Sequence, residues 1–189
     1  RKKLKEVIGV QDQIASAYGG FNFVEIKKSG EFKINKVNLS NQAMKKFNNR
    51  CVLFFTGITR RASTIAEKKI KNIIKKEEIM HEMSAFVKEG YNLLQNERFN
   101  EFGNLLHENW KLKRSILQDI SNTRIDDYYN FGIKNGAIGG KLLGAGSGGF
   151  ILFFCKSKHM KNNLVSKFNS TEFVNFSSSN NGSEVIFKE

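Results

Sequence analysis

Between positions 139 and 149 the chain reads Gly-Gly-Lys-Leu-Leu-Gly-Ala-Gly-Ser-Gly-Gly. So dense a run of residues without Cβ atoms lets backbone N–H groups turn toward one point, and lets another backbone or a phosphate approach closely. The run follows a helical pattern and precedes an apolar strand-like stretch, Phe-Ile-Leu-Phe-Phe-Cys at 150–155. That order excludes two common phosphate-binding designs. Gly144, Gly146 and Gly149 satisfy G-x-G-x-x-G, but a dinucleotide site needs a strand before the glycines and a helix after them. A P-loop fails too, because Leu142 follows Gly140-Lys141 where Ser or Thr must stand, and position 135 is not glycine. The run therefore reads as a loop over 139–149, either a tight helix-to-strand connection or a backbone cradle for phosphate.

The surrounding periodicities set the architecture. Leu4, Val7, Ile8, Ile14, Ala15 and Tyr18 predict a helix over 4–18 that Gly19-Gly20 stops. Alternation over 21–27 and 31–39 across Ser29-Gly30 predicts a hairpin, and the apolar run 51–55 predicts a buried strand. Two apolar stripes at helical spacing follow, Ala66, Ile70, Ile73 through Leu94, then Phe99 through Leu117 and Ile120. Thr123 with Asp126 resembles a capping box for a helix over 124–136. After the glycine run come a strand at 150–155, a short helix at 162–168 and strands at 172–176 and 184–188. The whole predicts an α+β domain, a mainly antiparallel sheet with helices packed on one face.

Composition narrows the partners. Lys and Arg exceed Asp and Glu by a net +13, which favours an anion: a phosphorylated metabolite, nucleotide, nucleic acid or acidic membrane surface. No stretch approaches the roughly 18 apolar residues of a membrane helix. Cys51 and Cys155 each sit in an apolar run, where a reduced thiol fits a cytoplasmic setting. The start at Arg1 carries neither initiator methionine nor signal peptide and reads as a cut through a longer chain. No metal site is expected: His81-Glu82 opens like a zinc-protease motif, but Ala85 stands where its second His must be. Arg60-Arg61 and the lysines at 68–76 read as phosphate contacts or as solvated surface.

Asp12, in Gly-Val-Gln-Asp-Gln, reads as a surface carboxylate or as a general base for a hydroxyl. Gln11 and Gln13 beside it suit a polyol. With Tyr18-Gly19-Gly20-Phe21-Asn22, Thr56-Gly57-Ile58-Thr59-Arg60-Arg61-Ala62 and the glycine run ending in Phe150, these segments make the chain resemble the C-terminal half of the GHMP-family small-molecule kinases. The wording is closest to the bacterial branch that acts on heptose 7-phosphate. The resemblance implies a ferredoxin-like C-terminal domain over 1–189 of an ATP- and Mg2+-dependent, cytoplasmic sugar-phosphate kinase feeding surface-polysaccharide heptose synthesis. It implies Asp12 as the catalytic group on the anomeric hydroxyl, and Gln11, Gln13, Tyr18, Gly19, Gly20 and Arg60 as sugar contacts. Lys141, Gly144, Ala145, Gly146 and Gly148 would form the glycine motif near nucleotide and substrate.

One departure matters. The family's Pro-x-x-x-Gly-Leu-Gly-Ser-Ser-Ala loop, which wraps the ATP phosphates, is absent, and the chain has no proline at all. The implied partner is therefore its own N-terminal nucleotide-binding domain, with ATP and Mg2+ held largely there. Two alternatives stand beside this reading. A basic α+β RNA-binding module is suggested by the charge and by Gly149-Phe150 leading an aromatic strand, although Ile151 and Leu152 fall in the wrong register for it. A non-catalytic interaction domain that kept the fold is the other.

Overall fold

The computed structural model describes residues 10–59, 77–116, 120–144, 146–168, 172–175 and 177–187. The helical positions expected at Leu4, Val7, Ile8, Ala66, Ile70, Ile73 and Leu117 lie outside them. The elements run α1 (Gln11–Tyr18), β1 (Asn22–Ile26), β2 (Phe32–Lys36), α2 (Asn41–Asn48), β3 (Cys51–Phe55), α3 (Glu77–Gln95) and α4 (Phe99–Ile116). They continue with α5 (Thr123–Lys134), β4 (Ala137–Leu142), β5 (Phe150–Cys155), α6 (Lys158–Lys167) and β6 (Phe173–Asn175).

β1 and β2 form the expected antiparallel hairpin, with Gly30 at φ 88° in its turn. The main sheet is antiparallel throughout, in the order β4-β5-β3-β6. With β3 and β5 central and β4 and β6 outside, this is the ferredoxin-like order that the resemblance implies. The central pair owes its place to composition: Cys-Val-Leu-Phe-Phe pairs with Phe-Ile-Leu-Phe-Phe-Cys, Cys51 opposite Phe154 and Phe55 opposite Phe150. Strands apolar at nearly every position must be covered on both sides.

Strand alternation sends Val52, Phe54, Ile151 and Phe153 to one face, where Ile125 and Tyr129 of α5 and Leu164 of α6 meet them. This is the expected helical layer. Cys51 and Phe154 point the other way, into a second cluster with Ala43 and Phe47 of α2, Leu94 of α3 and Phe99 of α4. Phe47 is its hub, with ring centroids 4.9 Å from Phe21, 5.7 Å from Phe99 and 5.3 Å from Phe154. The second face is thus closed as well.

Four local expectations need correction. Residues 139–142 are strand, not loop: β4 takes Gly139 and Gly140 because α4 and β5 press against that strand. A Cβ at Gly139 would stand 2.8 Å from the Gly103 carbonyl carbon, and one at Gly140 3.3 Å from the Leu152 carbonyl carbon. The cap of α5 is Asn122, whose side chain accepts from the Ile125 N–H at 3.0 Å. Asp126 instead accepts from Ser121 Oγ at 2.6 Å and pairs with Arg114 at 2.8 Å. Helix α6 begins at Lys158, earlier than expected, because Ser157 caps it by accepting from the Met160 N–H at 3.2 Å. Residues 184–187 form no strand and pair with none among the described residues; Val185, Ile186 and Phe187 are 83%, 97% and 75% exposed.

Candidate active site

Asp12 lies in the first turn of α1, exposed, with no hydrogen bond or ion pair to any described residue. An exposed carboxylate is open to a ligand hydroxyl. Gln11 and Gln13 are exposed beside it, each about 100° around the helix axis, one on either side. Ile14 is buried and pins the helix to the body of the protein.

The far end of α1 is fixed by backbone geometry. Gly19 caps the helix at φ 59°, its N–H donating to the Ala15 carbonyl at 2.9 Å, and Gly20 follows at φ 66°. Such angles are strained for any residue with a Cβ. The segment 177–183 lies directly across this end. Gly20 N–H donates to the Ser179 carbonyl at 2.7 Å, and Ser183 Oγ donates to the Ser16 carbonyl at 3.2 Å. A Cβ at Gly182 would sit 2.6 Å from the Ala17 carbonyl carbon. Asn22 Nδ2 donates to the Gly19 carbonyl at 3.0 Å, while its Oδ1 is buried and meets no donor among the described residues. Tyr18 is 44% exposed. The Tyr-Gly-Gly-Phe-Asn segment therefore sets the course of the chain out of the Asp12 helix, with Phe21 anchored on Phe47.

The glycine turn, now residues 143–149, is held on two sides. Thr56 Oγ1 donates to the Gly149 carbonyl at 2.8 Å, Gly149 N–H donates to the Ile58 carbonyl at 2.8 Å, and Ser147 N–H donates to the Ile120 carbonyl at 2.7 Å. Gly144, Gly146, Ser147 and Gly149 take φ of 72°, 114°, 63° and 91°. A serine in the left-handed region, 3% exposed, marks a backbone held against its preference by its surroundings. Gly146 and Gly148 cannot carry side chains: a Cβ would stand 3.0 Å from the Ile120 carbonyl oxygen and 2.6 Å from that of Ile58. The N–H groups of Gly144, Gly146 and Gly148 make no hydrogen bond to described residues. Lys113 Nζ donates to the Gly144 carbonyl at 3.4 Å from the last turn of α4.

Lys141 is half-buried on β4 opposite Leu152, without a hydrogen bond or ion pair to any described residue; burial pushes its ammonium below its usual range. No hydrogen bond among the described residues joins the Asp12 helix to the glycine turn. Arg60 and Ala145 lie outside the described residues. Sequence reasoning missed Thr56 and Ser147, buried polar groups whose only trace in sequence is their place beside glycines. It also missed the 177–183 segment, which bonds to the end of α1. Phe153 and Phe154 are fully buried, so these two rings are core and not stacking platforms of the kind an RNA-recognition module uses. Among the described residues no three His, Cys, Asp or Glu side chains converge to hold a metal, and no helix is long and apolar enough to cross a membrane.

Residues 91–174 match the family model "GHMP kinases C terminal". The D-glycero-alpha-D-manno-heptose 7-phosphate kinase of Campylobacter jejuni is 36% identical over 157 residues, 82% of this chain and 46% of that protein. The bifunctional fucokinase/GDP-fucose pyrophosphorylase of Arabidopsis thaliana is 28% identical over 154 residues, 78% of this chain and 14% of that one. Among solved structures, a D-glycero-D-manno-heptose 1-phosphate kinase from Bacteroides thetaiotaomicron superposes with a TM-score of 0.72 at 24% identity, covering 96% of this chain and 50% of its own. The chain spans about half the length of these two heptose kinases. Its antiparallel sheet, its glycine turn and its match over 91–174 together show that it carries the C-terminal domain of the GHMP kinases.

Proposed function

We propose that this chain is the acceptor-binding half of an ATP-dependent sugar-phosphate kinase that phosphorylates the anomeric hydroxyl of a heptose 7-phosphate in the cytoplasm, for surface-polysaccharide synthesis. The observation that carries the reading is the 36% identity to a heptose 7-phosphate kinase across 82% of the chain. Asp12, exposed and without an ion pair among the described residues, fits the role. Its carboxylate takes the proton of the anomeric hydroxyl as that oxygen bonds to the γ-phosphorus and the bond to the β-γ bridging oxygen of ATP breaks. The products are the 1,7-bisphosphate and ADP. Gln11 and Gln13 hold neighbouring hydroxyls, and Tyr18, Gly19 and Gly20 shape the floor that follows. Arg60 suits the distal phosphate through a paired guanidinium contact.

The glycine turn supports the other end of the transfer. Its backbone N–H groups, without partners among the described residues, and the desolvated Lys141 would neutralise charge on the transferring phosphoryl group. Mg2+ accompanies ATP in such kinases. The described residues offer no cluster to hold it, so no metal ligand is assigned to them. ATP and Mg2+ are held chiefly by an N-terminal domain bearing the phosphate loop that these 189 residues lack. The test is phosphorus NMR on the intact protein supplied with ATP, Mg2+ and, in turn, heptose 7-phosphate and L-fucose. A new anomeric phosphate signal from the heptose 7-phosphate is expected. Phosphorylation of fucose in its place would overturn the substrate, and inertness toward both would overturn the kinase reading.

A further inference from the structure

Between Asp127 and Glu172 the chain contains no carboxylate side chain, yet it carries Lys134, Lys141, Lys156, Lys158, Lys161 and Lys167. All but Lys141 belong to one end of the main sheet, where α5 runs into β4 and β5 runs into α6. No ion pair among the described residues involves any of those five. A cleft of about 540 Å³ opens at this place, with Lys134, Lys156 and Lys167 on its rim, Asn135 and Asn163 between them, and Met160 on its wall. Lys167 Nζ donates to Asn135 Oδ1 at 2.9 Å, which ties the end of α6 to the cap of α5 across the opening. Gly136, at φ 121°, keeps the cleft from filling: a Cβ there would meet the Met160 methyl at 2.8 Å.

We propose that this cleft is a second anion site, one that takes a multiply charged phosphate ester of a small molecule. Three exposed ammonium groups without carboxylate partners among the described residues supply the charge. Asn135 is held by Lys167 and by the Phe131 carbonyl, and Asn163 by His159 at 3.1 Å, which fixes both amides beside the opening, and the concave wall suits a compact ligand rather than a flat polymer face. The site does not rest on the kinase reading. It opens at the start of β4 and the end of β5, whereas the glycine turn joins the other ends of those strands, about 20 Å away at roughly 3.3 Å per residue. A ligand here binds beside the transfer site without competing for it, which is the geometry of an effector.

Inorganic pyrophosphate is the probe, titrated calorimetrically into the full-length protein. Saturable binding that weakens about tenfold or more in the Lys134→Ala/Lys156→Ala/Lys167→Ala variant, and stays within about twofold in Lys141→Ala, is the expected result. All three lysines are exposed, so the variant should stay folded, with only a small loss of stability from the Lys167–Asn135 bond; should the triple variant fail to fold, the single charge reversal Lys156→Glu replaces it. Loss of binding in Lys141→Ala with the triple variant unaffected would place pyrophosphate at the glycine turn and overturn the proposal. So would a single-stranded oligonucleotide that binds more tightly through the same lysines, because the surface would then serve nucleic acid.

Discussion

Replacing Gly139 by alanine tests the packing that delivers the glycine turn. On β4 this residue faces α4 so closely that an added Cβ would overlap the Gly103 carbonyl, with the carbonyl carbon at 2.8 Å and the His107 nitrogen at 3.1 Å. Both neighbours are backbone, which cannot swing aside as a side chain can. Ordinary contact begins near 3.4 Å, so α4 must retreat by more than about 0.6 Å along its contact with the strand. That retreat strips packing from Phe99 and Phe102 on Phe154, and the cost should be about 3 kcal/mol or more. At about 2–4 °C per kcal/mol for a chain of this size, the melting temperature should fall by roughly 6–12 °C. The control is Gly90→Ala in α3, where the nearest atom to the new Cβ is a leucine methyl at 3.4 Å. Relief of glycine's backbone entropy in a helix should make that variant stable to within about 1 kcal/mol or slightly better. Both are read by thermal unfolding followed by circular dichroism. A Gly139→Ala protein within about 1 kcal/mol of the parent would show that α4 does not lie on β4 as described.

Two further predictions concern stability. Asn122→Ala removes the acceptor of the Ile125 N–H at the start of α5 and should cost about 1 kcal/mol in urea unfolding, whereas Thr123→Ala should cost little; the opposite ranking would return the cap to Thr123. Burial pushes the Cys155 thiol up to about 12 and that of Cys51 higher still, while unfolded thiols titrate near about 8.5. The unfolded chain thus releases these protons first, and stability should be lost as the pH rises above about 8.5 toward 12, with no contribution from either thiol below that window. Cys51→Ala and Cys155→Ala should each flatten the fall of the urea midpoint with pH; unaltered slopes would contradict it.

The parts of the fold legible in sequence are those where one physical signal acts alone. The continuous apolar runs of β3 and β5 and the hairpin around Gly30 needed only period and turn chemistry. Gly139 and Gly140 misled because glycine in a sequence signals a loop, while here it signals the approach of a helix and a neighbouring strand, which only the tertiary structure supplies. Residues 184–187 misled in the opposite sense: their alternation is that of a strand, but pairing needs an edge that local pattern cannot guarantee. At the site, Asp12 and the glycine turn were visible as motifs. Their supports were not, since Thr56, Ser147 and Ser179 act through hydrogen bonds to residues distant in sequence.

The central claim is that Asp12 removes the acceptor's proton. It is tested most directly by steady-state kinetics of Asp12→Asn in the intact protein with ATP and heptose 7-phosphate. The exposed position of Asp12 means that the amide should leave folding, and the Michaelis constants for both substrates, nearly unchanged. Turnover should fall by about 10²–10⁴-fold, the usual contribution of a positioned base. Turnover close to that of the parent would show that Asp12 is a surface carboxylate and remove it from the reaction.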